Sequence, residues 1–95
     1  MAAYVIVNVD VKDPVRYERY KKLAEVSIPM YGGRYLARGA PVEVLEGDWT
    51  PKRLVILEFP DVQRARAWWA STEYAEGKAL RQATAHTDMV LTTGL

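Results

Sequence analysis

The amino-acid sequence predicts a small α+β domain with one antiparallel sheet and too little helix to cover both faces of that sheet. Three observations lead to this prediction. Strand-like and helix-like segments follow one another in the order β-α-β-β-α-β along 95 residues. The two segments expected at the centre of the sheet are almost continuously apolar, which is typical of strands buried on both faces. Two helical regions are enough to cover only one face.

The first half of the chain predicts a strand, a long helix and a second strand. Residues 4–11 are rich in β-branched side chains, as strands are. Asp13 followed by Pro14 is a strong helix start, with the carboxylate as N-cap and proline at the first helical position. Apolar and aromatic residues then recur at three- and four-residue spacing until two glycines end the helix. Residues 34–40 form the second strand, which residues 42–45 could extend.

The second half predicts two more strands and a second helical region. Pro60 and Asp61 open this region, and Ser71 provides another N-cap within it. The order of elements is the ferredoxin-like pattern, in which the first and third strands lie side by side at the centre of the sheet. The remaining spans are a turn over 47–51, a strand over 53–59, a helix from about 72 to 83 and a strand over 87–93.

The central strands also predict how the protein assembles. In the first strand Val5, Val7 and Val9 face one way, whereas Tyr4 and Ile6 face the other. The third strand is apolar on both sides as well. Since the helices can cover one face only, the other face needs a partner, and a second copy of the chain is the simplest one. We therefore expect a barrel-like homodimer joined through the sheet face.

Composition excludes several classes of function. Thirteen basic and twelve acidic residues give a net charge of +1, which argues against nucleic acid as a partner because phosphate binding usually requires a basic excess. The chain has no cysteine, so disulfides and thiolate sites are excluded and a cytoplasmic location is favoured. No apolar run approaches the roughly 20 residues that a membrane span needs, and the start of the chain lacks the features of a signal peptide.

A set of motifs in chain order resembles the DUF1330 family, a domain family of unknown function. The motifs are Asp13-Pro14 with Tyr17 and Tyr20, residues 31–39, 45–49, 53–60 and 67–74, and Arg81. The resemblance implies a single DUF1330-like domain over residues 1–95 and membership of the dimeric α+β barrel superfamily. Related barrels include cofactor-independent monooxygenases, haem enzymes, muconolactone isomerase-like proteins and stress-responsive binding proteins, so the fold alone does not select a function.

Glu58 is the first candidate for a catalytic residue. It lies between Leu57 and Phe59 on a strand that is expected to be buried, and a buried carboxylate is costly unless it is paired. A raised pKa would let it act as a base or an anchor in a pocket. The alternative is a glutamate near the end of its strand that pairs with an arginine or is solvated.

Arginines predict a site for a small anionic ligand. Arg34 and Arg38 are expected on one face of the second strand. With Arg53 and Arg81 they could bind a small carboxylate or phosphate through planar, bidentate contacts. The alternative is that they form ion pairs that stabilise the fold or the dimer.

Aromatic and hydroxyl side chains complete the predicted pocket between the sheet and the helices. Amphipathic aromatic residues can line a pocket with their rings and orient a ligand with their polar groups. The alternative role is packing in the core or interface, and Trp68 and Trp69 cannot both face inward because helix neighbours lie about 100° apart. The candidates are Tyr20, Tyr31, Trp49, Trp68, Ser71 and Tyr74, with Tyr17 and Tyr35 in the same aromatic set.

The sequence predicts no metal site and no cofactor. His86 is the single histidine, whereas zinc or non-haem iron needs three or four ligands. Catalytic triads, phosphate loops and dinucleotide fingerprints are not found.

Two functional hypotheses remain. The first is a homodimeric small-molecule-binding protein or cofactor-independent enzyme, with proton transfer or isomerisation favoured over redox chemistry. The second is a non-catalytic dimerisation module.

Overall fold

The computed structural model describes residues 1–95 and has a four-stranded antiparallel sheet in the order β2-β3-β1-β4. The central pair is therefore β1 and β3, as the ferredoxin-like prediction requires, and this fold class is confirmed. The second helical region consists of two separate helices. The elements are β1 (Ala3–Val11), α1 (Pro14–Met30), β2 (Arg34–Arg38), β3 (Arg53–Phe59), α2 (Val62–Trp69), α3 (Thr72–Thr84) and β4 (Ala85–Thr93).

Each helix begins at a side-chain cap, and the sequence predicts two of these caps, at Asp13 and Ser71. In each case the side-chain oxygen accepts a hydrogen bond from the backbone N–H three residues further along. The caps and their donors are Asp13 with Arg16 at 3.2 Å, Asp61 with Arg64 at 2.7 Å and Ser71 with Tyr74 at 3.1 Å.

The second strand is shorter than predicted. It ends at Arg38, and residues 41–50 are exposed and have no regular structure. Gly39 turns the chain with a φ of +74° while its N–H donates to the carbonyl of Leu54. Pro41 then has no N–H with which to continue the ladder. The predicted extension of this strand over residues 42–45 is therefore wrong within the protomer.

A β-bulge in β2 changes which side chains share a face. Arg34 lies opposite Glu58, but the register shifts between Tyr35 and Ala37, so that Arg38 lies opposite Val55. An extra residue in one strand reverses the alternation of the side chains that follow it. The prediction that Arg34 and Arg38 share a face is therefore wrong.

The two faces of the sheet differ in what covers them. The face that carries Val5, Val7 and Val9 packs against the helices, and these valines are buried. We call it the helix face. The opposite face, which we call the open face, carries Tyr4, Ile6, Leu54, Ile56 and Glu58, all only partly buried within the protomer. The strands are thus apolar on both sides, as their sequence predicts.

Candidate functional site

Aromatic rings fill the centre of the layer between the sheet and the helices. The ring centroid of Trp68 lies 4.1 Å from that of Tyr74 and 5.4 Å from that of Phe59. Its indole N–H donates to the hydroxyl of Ser27 at 3.0 Å. Trp68 is 1% exposed and Trp69 is 46% exposed, so one of the two tryptophans packs in the core and the other lies at the surface.

A hydrogen-bonded chain of Tyr20, Tyr74 and Arg81 lies beside this cluster. The two hydroxyl oxygens are 2.9 Å apart, and Nε of Arg81 donates to the hydroxyl of Tyr74 at 3.3 Å. Gly77, on the same face of α3, lets the two helices approach, since a Cβ there would lie 3.3 Å from Cβ of Leu23. Burial and the neighbouring hydroxyl of Tyr74 raise the pKa of Tyr20, so its hydroxyl stays protonated.

Arg81 is a buried cation without a counter-ion. Its side chain is 5% exposed, and none of the six ion pairs in the protein includes it. A buried charge is costly when no opposite charge compensates it. The single hydrogen bond to Tyr74 uses only one of the guanidinium's five N–H groups. The terminal N–H groups of Arg81 are therefore left without an acceptor from the chain itself.

Arg81 lines a groove between α2, α3 and β4 with a volume of about 540 Å³. This volume lies within the range of about 300–1,000 Å³ typical of small-molecule sites. The hydroxyl of Thr87 in the same groove is shielded from solvent and has no hydrogen-bond partner. The apolar walls include Trp68, Trp69, Met89 and Leu91, with Arg66 and Gln82 among the polar lining. The groove thus combines apolar surface with unsatisfied polar groups.

A smaller cavity of about 30 Å³ lies between α1 and the β2–β3 side of the sheet. Tyr20 and Arg38 line it together with Trp68. Trp68 also lines the groove, so its ring lies between the two cavities. Arg53, Tyr17 and Tyr35, which the sequence also places among its candidate pocket residues, line the smaller cavity as well, and Arg81 lines the groove.

A model of the DUF1330 family, described as a domain of unknown function, matches residues 2–95. The chain belongs to the DUF1330 family. Among curated proteins, none matches it.

Solved structures with a similar fold include proteins of unknown function and an oxygenase. The RPA0582 protein of unknown function from Rhodopseudomonas palustris has a TM-score of 0.80 at 18% identity, covering 99% of this chain and 82% of that one. A dimeric ferredoxin-like protein of unknown function from Jannaschia sp. CCS1 scores 0.74 at 12% identity, covering 99% and 100%. SnoaB, a cofactor-independent oxygenase from Streptomyces nogalater, scores 0.67 at 11% identity, covering 99% and 93%. At these identities the likeness shows the fold alone.

In this DUF1330 protein Glu58 lies on the open face of the sheet. Its carboxylate accepts a hydrogen bond from Nε of Arg34 at 2.7 Å, and its side chain is 23% exposed. Its predicted place in a pocket between sheet and helices is wrong, because its position in β3 directs it away from the helices. The arrangement matches the alternative of a strand glutamate paired with an arginine, and a catalytic role for Glu58 stays a prediction.

The other predicted ligand-binding residues lie outside the two cavities. Tyr31 donates a hydrogen bond to Glu73 at the surface, at 2.5 Å. Ser71 is the N-cap of α3, and Trp49 is 62% exposed in the irregular segment 41–50. Arg34 pairs with Glu58 on the open face. Tyr74, buried in the aromatic cluster, also lines neither cavity. Contact of these five residues with a ligand stays a prediction.

Thr87 is the groove residue that sequence reasoning missed. It lies opposite Val9 in the β1–β4 register, so it shares the helix face with Met89 and Leu91. The sequence signal for it is a hydroxyl residue among the alternate positions of β4 that are otherwise apolar. That this hydroxyl lacks a partner follows only from the packing of α2 and α3.

The structure contains neither a cluster of metal-binding side chains nor a helix suited to span a membrane. The structure has no group of three or more His, Asp or Glu side chains placed to hold a metal ion. None of its helices has the length and apolar character needed to cross a membrane.

Proposed function

We propose that the protein binds a small organic acid in the groove between α2, α3 and β4, with Arg81 as the anchor for the acid group. One observation carries this proposal. Arg81 is 5% exposed, has no carboxylate partner and lines a groove of about 540 Å³. An anionic ligand would compensate the buried positive charge, as buried charges require.

The groove suits an acid that has an apolar body. Tyr74 fixes the guanidinium through Nε, which leaves the terminal N–H groups for a bidentate contact with a carboxylate. The unpartnered hydroxyl of Thr87 can donate a further hydrogen bond. The rings and alkyl chains of Trp69, Met89 and Leu91 can cover the rest of the molecule.

The same groove can serve a cofactor-independent enzyme. A guanidinium and a hydroxyl that are fixed before the ligand binds can stabilise negative charge developing on a ligand oxygen. Proton transfer and isomerisation are the reaction classes that need such groups and no bound cofactor. SnoaB, which has a similar fold, is described as a cofactor-independent oxygenase.

We further propose that the protein is a homodimer whose two copies pack through their open faces to form a barrel. Ile6, Leu54 and Ile56 form an apolar patch that no helix of the protomer covers. The protein of similar fold from Jannaschia sp. is described as dimeric. A C2 dimer would bury this patch against its own copy.

A non-catalytic dimerisation module is the second candidate function. The pairing of Arg34 with Glu58 favours it, because this pair compensates charge within the open face without a ligand. Under this hypothesis the groove would hold water only, and no organic acid would bind with saturation.

Thermal unfolding in the presence of small aromatic and aliphatic carboxylates distinguishes the two candidates. A ligand at a hundredfold excess over its Kd adds about 2.7 kcal/mol of stability, and each kcal/mol raises the Tm of a domain of this size by about 4–8 °C. We expect a saturable rise in Tm with at least one acid and its loss in Arg81→Met. Arg19→Met is the matched control, since Arg19 is exposed and pairs with Glu76 at the surface.

The proposal fails when no acid gives a saturable rise in Tm, or when Arg81→Met responds as the wild type does. Unfolding of Arg81→Met without ligand checks that this variant is still folded. Arg81→Lys keeps the charge but loses the bidentate geometry, and we expect an intermediate response.

A further inference from the structure

The smaller cavity, which we name the tyrosine crevice, has a polar lining of unusual composition. Its polar side chains are Tyr17, Tyr20, Lys21, Tyr35, Arg38 and Arg53. All of them can donate a hydrogen bond, and none is a carboxylate or an amide. The crevice therefore offers donors, with acceptor capacity only at tyrosine oxygens, and such a set favours a negatively charged group.

Half of these donors are already used by the protein. Tyr20 bonds Tyr74, Lys21 pairs with Glu18 and Arg38 pairs with Glu25. The remaining three are Tyr17, Tyr35 and Arg53, none of which forms an ion pair. The hydroxyl oxygen of Tyr17 lies near enough to the guanidinium of Arg53 to accept from it, which leaves the hydroxyl proton of Tyr17 free to donate.

The two tyrosine hydroxyls that remain are neutral donors. Burial raises the pKa of Tyr17, and the nearby charge of Arg53 opposes this rise without cancelling it. Burial likewise raises the pKa of Tyr35 against the charge of Arg38. Both hydroxyls therefore keep their protons at neutral pH and can donate them to an anion.

Arg53 is positioned by packing instead of by a carboxylate. Its guanidinium lies against Gly39, where a Cβ would overlap it. On another side its Cζ lies 5.9 Å from the ring centroid of Tyr17. Nε of Arg53 is shielded from solvent and has no acceptor. An unpaired cation and a shielded, unsatisfied N–H thus occur in one side chain of the crevice.

We propose that the tyrosine crevice binds the carboxylate head of a small monocarboxylic acid, with Arg53 as counter-ion and Tyr17 and Tyr35 as additional donors. The crevice measures about 30 Å³, and a water-sized atom needs about 10–15 Å³ on this scale. There is room for the two oxygens of a planar carboxylate but not for a tetrahedral phosphate. This site is separate from the groove at Arg81, and its existence does not depend on binding there.

Local NMR signals test the proposal directly. Sodium formate and sodium acetate are titrated against ¹⁵N-labelled protein, with sodium chloride and sodium phosphate at matched ionic strength. The amide of Gly39 reports on the crevice because Arg53 lies against this glycine. Gly47 is the internal control, since a Cβ there would meet no atom within 4 Å. We expect saturable shifts at Gly39 with formate and acetate and none with chloride or phosphate.

Variants assign the binding to Arg53. Arg53→Met keeps an unbranched apolar chain without the charge and should weaken binding about tenfold or more, as loss of a charged hydrogen bond does. Tyr35→Phe on the edge strand removes one hydroxyl and should weaken binding severalfold, which keeps the test decisive even when Arg53→Met does not fold. Arg19→Met should bind as the wild type does.

Two results would overturn the proposal. One is the absence of a saturable shift at Gly39, which would mean that no carboxylate enters the crevice. The other is an equal response to phosphate or chloride, or an equal response in the variants, which would show non-specific ion binding. If acid binds in the crevice but not at Arg81, only the groove proposal is refuted. If acid binds at Arg81 but gives no shift at Gly39, only the crevice proposal is refuted.

Discussion

The two faces of the sheet are made of the same apolar residue types, yet only one is closed within the protomer. On the helix face Val5, Val7 and Val9 are at most 4% exposed beneath the aromatic cluster of Trp68 and Tyr74. On the open face the residues between them in sequence stay partly exposed. The comparison shows that the residue pattern of the strands determines which faces of the sheet must be covered. The number of helices determines how many of those faces the chain can cover by itself.

The faces also differ in how their polar groups are compensated. On the open face Arg34 pairs with Glu58, and Asp10 pairs with Lys12. On the helix face Arg53 and Arg81 have no counter-ion, and Nε of Arg53 and the hydroxyl of Thr87 have no partner. Unsatisfied groups thus gather where the cavities lie. This contrast assigns assembly to the open face and ligand binding to the helix face in our proposals.

The largest effect on the helix face should come from Trp68→Ala. The change removes a ring packed against Phe59 and Tyr74, together with the hydrogen bond to Ser27. We expect a loss of about 3–5 kcal/mol in the free energy of unfolding, as for large aromatic residues in cores. Urea denaturation measures it, with Trp69→Ala as the control. Comparable losses in both variants would show that the core is not centred on Trp68.

On the open face, Ile56→Glu should separate the copies without unfolding them. Ile56 lies opposite Ile6 in the central strand pair, so the new carboxylate would fall inside the proposed interface and meet its own copy. Like charges placed together across an interface cost several kcal/mol. Light scattering should report half the wild-type mass while circular dichroism stays unchanged. A wild type that is monomeric at micromolar concentration would refute the dimer itself.

Local sequence signals predicted most of the fold. The caps at Asp13, Asp61 and Ser71 depend on contacts three residues apart, so a motif is enough to find them. The alternation in β1 and β3 is equally local. The family resemblance is confirmed over residues 2–95.

The candidate site was less predictable because its key features are not local. The bulge that separates Arg34 from Arg38 is set by the pairing of β2 with β3, which the β2 sequence does not encode alone. The alternation of β3 predicts the face on which Glu58 lies, but it does not predict the partner Arg34, which is 24 residues away in the chain. That Arg81 has no counter-ion depends on every neighbour that packs around it.

A smaller loss of stability is expected for Gly39→Ala, which changes the surroundings of Arg53 in the tyrosine crevice and leaves the groove at Arg81 unchanged. The residue has a φ of +74°, and a Cβ there would overlap the guanidinium of Arg53. A left-handed conformation costs a residue with a Cβ about 1–2 kcal/mol. Gly47→Ala is the matched control, with a φ of +89° and empty surroundings. Thermal unfolding should give a larger loss for Gly39→Ala, and equal losses would mean that Arg53 is free to move aside.

The smallest effect should come from the hydrogen bond between Tyr31 and Glu73, and it should depend on pH. The hydroxyl of Tyr31 lowers the pKa of Glu73 below its ordinary value of 4.5. A lowered pKa in the folded state contributes stability above the ordinary pKa, and this contribution disappears as the pH falls through the folded value. Tyr31→Phe removes the hydrogen bond but keeps the negative charge of Glu73 in the first turn of α3. Glu73→Gln would remove this charge as well, so it is the poorer test.

We therefore expect the urea midpoints of wild type and Tyr31→Phe to differ slightly at pH 7 and to converge as the pH falls through the lowered pKa of Glu73, below which the carboxylate is protonated in both. The direction of the change in stability at alkaline pH also follows from the pKa shift of Tyr31. Glu73 raises the pKa of Tyr31 above 10, so its contribution is present below pH 10 and is lost as the pH rises through the folded value. A difference in midpoint that stays the same from pH 7 down through the acid range would show that the ring of Tyr31 stabilises the surface by packing and that its hydroxyl contributes nothing.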